Sequence, residues 1–232
     1  KITKGKKIEE FTCVNNHNEV SLEIQEAIKI ALEATSKQEW EQTSTYAVDK
    51  STETKHIVSL LLVRLLNVLS EGPLESTSVL CQKILDEKIV VWPAKVTPEV
   101  ISSLEKYVST LMDLHNNVHY HNRNHTFHVF NNANKLLDII LQYPDNNMIG
   151  ADPLLAFALI FSSLIHDIGH LGKTNQQLSL EHHQLSVIYN DRNSLEQNSL
   201  SLSFSLLQEP ELKPLRDVLF GNEQDTATYD SN

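Results

Sequence analysis

The stretch DPLLAFALIFSSLIHDIGHLG, residues 152–172, decides the reading of this chain. Asp152-Pro153 is an N-cap followed by proline at the first helical position, a strong start signal for a helix. The run from Pro153 to Ile165 is almost wholly apolar, as expected of a helix buried on most sides. It delivers an adjacent His166-Asp167 pair to its C-terminal end. A carboxylate at the mouth of a buried helix is costly unless it is paired or metal-bound. Gly169 and Gly172 free the backbone just beyond it. Adjacent imidazole and carboxylate groups suit Zn²⁺ on a nitrogen-rich side and Mg²⁺ or Mn²⁺ on an oxygen-rich side, with the carboxylate bridging.

Working outward, the chain reads as all-α. Thr97-Pro98 repeats the cap-then-proline signal and predicts a helix to about residue 114. A polar, histidine-rich turn follows at 115–123, then a helix over 125–142. Further helices are expected at 177–190 and 195–208, with at best a short one after Pro210. Upstream, helices are expected at 21–34, 56–69 and 76–88, with 36–55 a polar linker and 90–93 an extended connector. The chain divides into an N-terminal helical and linker region, 1–95, and a second region, 96–232.

Composition supports this. The 232 residues include six glycines, about a third of the ordinary share, which disfavours turn-rich sandwiches, barrels and glycine-rich phosphate loops. The net charge of −11 argues against a nucleic-acid binder. The longest apolar runs, 57–69 and 154–165, fall short of the roughly 20 residues of a membrane span. Two cysteines, Cys13 and Cys81, make no disulfide framework, so a reducing, cytoplasmic setting is expected.

Nine of the eleven histidines fall between His115 and His183. One group is Tyr120-His121-Asn122-Arg123-Asn124-His125, whose two histidines would share a face if both were helical. The other is His166-Asp167-Ile168-Gly169-His170. Together with Tyr189-Asn190-Asp191 and Leu195-Glu196, these resemble, in order and spacing, the class I cyclic nucleotide phosphodiesterases of the HD metal-phosphohydrolase superfamily. The family's Y-H-N-x-x-H stands at 120–125 and its H-D-x-x-H-x-G-x-x-N at 166–175.

The resemblance implies a compact multi-helix bundle. It also implies hydrolysis of the 3′ phosphoester of cAMP or cGMP with two divalent ions, Zn²⁺ with Mg²⁺ or Mn²⁺. His125, His166 and Asp167 match the metal ligands, and His121 matches the general acid. Glu196 and His170 match groups that order water and orient the acid, and Tyr120 and Asn175 match pocket positions. The chain departs from the family at Thr126-Phe127-His128, Leu171 and Gln197-Asn198-Ser199. The family's second metal-binding aspartate and purine-binding glutamine would fall beyond residue 232. The chain is therefore expected to be an N-terminal part of a longer enzyme. A catalytically inactive regulatory module and another HD-type phosphohydrolase are the alternatives. A homodimer or regulatory contact through residues 1–95 is also expected.

Overall fold

The computed structural model describes residues 49–69, 79, 96–141 and 152–221. The expected helices at 21–34 and 76–88, the connector at 90–93 and both cysteines lie outside these residues, except for Val79. The order is α1 (Lys50–Leu69), α2 (Pro98–Asp113), α3 (Arg123–Leu141), α4 (Pro153–Ile165), α5 (Asn175–Leu180), α6 (Gln184–Ile188) and α7 (Ser194–Leu206). A 3₁₀ turn (Pro210–Leu212) and α8 (Lys213–Phe220) follow. No strand occurs among the described residues.

The proline-started helices form as expected. Asp152 caps α4 with its side chain, accepting from the N–H groups of Leu154 at 2.9 Å and Leu155 at 3.3 Å. Thr97 precedes α2 in an extended conformation, and its hydroxyl makes no capping bond. Its carbonyl instead accepts from Val100 and Ile101. Three expectations change. α1 begins at Lys50, so the end of the expected 36–55 linker is helical. The expected 177–190 helix is two short helices, broken where His182 takes a left-handed φ of 51°. Arg123 opens α3, so His121 lies in the preceding turn and not on a helical face shared with His125.

One core unites these helices. Ile57, Leu61 and Leu62 of α1 pack with Tyr107 and Leu111 of α2, Phe130 and Leu137 of α3, and Ile160 and Leu164 of α4. Leu207, Leu212 and Leu215 close the far side. Truncating such a residue to alanine costs roughly 2–5 kcal/mol. Arg64 in the apolar α1 is fully buried because α3 supplies partners. Its Nε and Nη2 donate to Asn134 Oδ1 at 3.0 and 2.8 Å, and Nη2 donates to Asp138 at 2.7 Å. No described helix is long and apolar enough to cross a membrane.

α3 and α4 pack side by side, with the start of α3 beside the end of α4. That juxtaposition brings His121 and His125 to His166 and Asp167.

Candidate active site

Each histidine group is placed by local backbone chemistry. Asn122 caps α3, its side-chain oxygen accepting from the His125 N–H at 3.1 Å, while its amide donates to Val118 O at 2.9 Å. This fixes His121 just outside the helix and His125 in its first turn. α4 ends at Ile165, and His166 serves as its C-cap. The chain then turns, with the His170 N–H donating to Asp167 O and Gly169 at φ 70°.

The result is one buried carboxylate oxygen ringed by imidazoles. Asp167 Oδ2 lies 2.8 Å from His121 Nδ1, 3.1 Å from His166 Nε2 and 3.3 Å from His125 Nε2. Burial raises the Asp167 carboxyl, but the hydrogen bonds and charge of His166 and His121 hold it well below the usual carboxylate range. Burial pulls His166 down, yet its bond to Asp167 wins and raises it. Burial lowers His125 and His170.

The donor atoms of His125, His166 and Asp167 all lie within 4.8 Å of one another, as do those of His121, Asp167 and His170. The first set fits a metal ion. His166 Nδ1 lies 2.9 Å from the Ser163 carbonyl, so Nδ1 carries the proton and donates. Nε2 of the neutral ring then presents a lone pair to a carboxylate oxygen that also has only lone pairs. That contact is stable only with a cation there, either a second proton on the ring or a metal ion.

The other expected residues come to the same place. The His170 ring stacks on His121 with centroids 3.9 Å apart. Tyr120 is exposed, its ring 4.4 Å from His125 and 4.9 Å from His121. Asn175 bridges two partners, donating to Glu196 Oε2 at 2.9 Å and accepting from the Leu195 N–H at 3.0 Å. Glu196 is exposed and close enough to His170 to act on it electrostatically. The Tyr189-Asn190-Asp191 segment forms a tight turn with φ of 51° at Asn190 and 57° at Asp191, conformations that Asn and Asp tolerate. Asp191 accepts from the Ser179 hydroxyl at 2.6 Å, tying the turn back to α5.

Several supporting residues lie outside the sequence expectation. His115 Nε2 is 2.8 Å from the hydroxyl of buried Thr126, and its Nδ1 is 3.2 Å from Met112 O, tying α2 to α3 beside His125. Asn116 donates to the carbonyls of Gly169 and His170, both at 3.1 Å. Ser199, where the family usually has histidine, donates to Ile168 O at 2.8 Å and props the loop from below. Thr126 and Ser199 were visible only as departures from a pattern, and His115 only as one histidine among nine.

Comparison with known proteins covers this same region. Residues 120–228 match the sequence model of the 3′5′-cyclic nucleotide phosphodiesterase family. A probable 3′,5′-cyclic-AMP phosphodiesterase of Caenorhabditis elegans is 34% identical over 113 residues, which are 47% of this chain and 17% of that protein. The rat 3′,5′-cyclic-AMP phosphodiesterase 4C is 36% identical over 107 residues, 46% of this chain and 19% of the relative. A cGMP-specific 3′,5′-cyclic phosphodiesterase of Plasmodium falciparum is 36% identical over 113 residues, 49% of this chain and 13% of the relative. The matched stretch thus spans less than a fifth of these relatives' length. All-α architecture, site geometry and sequence agree that residues 120–228 are similar to part of a class I 3′,5′-cyclic nucleotide phosphodiesterase domain.

Proposed function

We propose that the chain carries the metal-binding part of a phosphodiesterase site that hydrolyses the 3′ phosphoester of cAMP or cGMP to the 5′-monophosphate. The observation that carries this reading is Asp167 Oδ2, held by three imidazole nitrogens at 2.8, 3.1 and 3.3 Å. His125, His166 and Asp167 would hold a divalent ion, with Zn²⁺ favoured by the two imidazoles. Asp167 would share a second ion, Mg²⁺ or Mn²⁺. Bound divalent ions polarise the phosphoryl oxygens and lower the pKa of water.

The chain's own residues supply the proton chemistry. Asp167 accepts from His121 Nδ1, which orients the ring and leaves Nε2 as the atom that gives its proton to the departing 3′ oxygen. The P–O3′ bond breaks, the water oxygen forms the new P–O bond, and the proton the water gives up replaces the one His121 has passed to the 3′ oxygen. Asn175 holds Glu196 to order water beside the acid. Tyr120 stands over His121 and His125 as a pocket wall.

The same proposal takes residues 96–232 as the catalytic region's first part, with 1–95 open to a partner or second copy. A cytoplasmic setting accords with the scarcity of cysteine.

The test is hydrolysis of cAMP and cGMP with Mg²⁺, Mn²⁺ or Zn²⁺, by this chain and by the longest natural form of the protein. Nucleoside monophosphates serve as competing substrates. Asp167→Asn should lower activity at least about 100-fold, since it removes a metal ligand and the acid's partner together. Undiminished activity in that variant, or hydrolysis of monophosphates alone, overturns the reading.

A further inference from the structure

The three side chains that could hold an ion come from two separate places in the chain. His166 and Asp167 lie where α4 ends, whereas His125 lies in the first turn of α3. Such a set is useful only if its halves are held in register to within about 0.5 Å. The loop after α4 is buried, with Asp167 6% and Ile168 0% exposed, so its carbonyls need partners. Three consecutive carbonyls find them in side chains from other elements. Ser199 of α7 donates its hydroxyl to Ile168 O at 2.8 Å. The two amide hydrogens of Asn116 go to Gly169 O and His170 O, both at 3.1 Å.

Asn116 belongs to the turn between α2 and α3, so its bonds cross from one half of the site to the other. The connection then runs on to His125. Asn116 O accepts from the Val118 N–H at 2.9 Å, and Val118 O accepts from Asn122 Nδ2 at 2.9 Å. Asn122 Oδ1 in turn accepts from the His125 N–H at 3.1 Å. Val118 also lies against Gly172, where a Cβ would be only 3.1 Å from its Cγ1. That contact limits movement of the loop toward the turn, and the Asn116 bonds limit movement away from it. Asn116 lies outside every motif that placed the site, and Ser199 stands where the family usually has histidine.

We infer that Asn116 and Ser199 are positioning residues: together they clamp the carbonyls of residues 168–170, and so set the affinity of the His125, His166 and Asp167 group for a divalent ion. This deepens the proposed function and rests on it for the ion. The clamp itself is written in the hydrogen bonds.

The experiment titrates the whole chain and its variants with cobalt(II), followed by visible absorbance at a temperature well below every Tm. The unaltered chain is expected to bind cobalt, and His166→Ala to lose it. Asn116→Ala and Ser199→Ala should each weaken binding at least about 10-fold, the range for removing a group that orients a ligand. The double variant should be weaker than either. Asn116→Asp keeps the shape but loses both donors, and should do no better than alanine. Leu215→Val lowers Tm through the far side of the core and should keep the parent affinity and spectrum, which separates positioning from general loss of stability. Parent-like affinity in the double variant overturns the inference, as does an equal loss in Leu215→Val. Absence of cobalt binding by the unaltered chain overturns it together with the metal part of the proposed function. Cobalt binding that follows the expected pattern in a chain inactive toward cyclic nucleotides defeats the proposed hydrolysis and leaves the clamp standing.

Discussion

Arg123 sits between the two histidines of the first motif, yet it faces away from them. Its Nε donates to Glu53 Oε2 of α1 at 2.7 Å, and its Nη1 to Asp113 of α2 at 3.1 Å. The two bonds pin the start of α3, two residues before His125, to both neighbouring helices. Glu53 is only 5% exposed, and burial pushes its carboxyl up while Arg123 pulls it back. Arg123→Met would leave that carboxylate buried without its cation. Breaking such a pair costs about 3–5 kcal/mol when both members are fully buried. The Arg123 side chain keeps 17% exposure, and Asp113 is largely solvated and adds little. A loss of about 3 kcal/mol is therefore expected, read as a lowered urea midpoint at unchanged slope in far-ultraviolet circular dichroism. Replacing both members with methionine should recover most of it, because an apolar pair in the same place is close to neutral. Acidification should also narrow the deficit. With its folded-state carboxyl raised, Glu53 takes a proton in the folded state before the unfolded chain does, so the variant gains stability as pH falls toward about 4.3. A loss below about 1 kcal/mol for Arg123→Met, or a double variant as weak as the two single changes summed, would refute this account of the helix junction.

Two further outcomes follow from the same geometry. Gly169→Ala should cost about 1–3 kcal/mol, read as a lowered Tm. The φ of 70° strains alanine, and its Cβ would lie 2.6 Å from the flexible tip of Leu202 and 3.3 Å from Asn198 Nδ2; an unchanged Tm contradicts this. Burial lowers the pKa of His56, whose Nε2 bonds Asn131 Oδ1 at 2.6 Å and whose ring meets Phe127 edge-on. The unfolded chain therefore binds a proton first as pH falls below about 6.5, and stability drops by up to about 1.4 kcal/mol per unit. His56→Gln should flatten that slope in unfolding measured at about pH 7 and pH 5.5, and equal slopes for the two proteins would sink the argument.

What the sequence disclosed, and what it hid, divides along a physical line. Caps and breaks written in adjacent residues were legible: Asp152-Pro153 and Thr97-Pro98 start helices where expected. The start of α1 was hidden because its first turn is polar and exposed, and the reason Glu53 can be buried there lies 70 residues downstream in Arg123. The break at His182 was hidden too, since no glycine or proline marks it. It is set by the turn that packs Ser186 under Leu178, whose carbonyl accepts the serine hydroxyl at 3.1 Å. The clustering of these side chains was legible because its members are neighbours in sequence, His166 with Asp167 and His121 near His125.

Spacing names which rings meet but not what each does, because that depends on the atom touching the other nitrogen. His121, His166 and His170 surround the same carboxylate, yet their second contacts differ. The carbonyl of Ser163 frees Nε2 of His166 for a cation. The carboxylate of Asp167 occupies Nδ1 of His121 and leaves only Nε2 for the proton transfer proposed above. The amide of Gly172 occupies Nδ1 of His170 and makes its Nε2 a donor. On the proposed function, three chemically identical side chains would thus be set apart as ligand, acid and donor by one backbone carbonyl, one carboxylate and one backbone amide. Two of those three are main-chain atoms, so the motifs could assign the roles only by resemblance, and the contacts that would enforce them appear only in the fold.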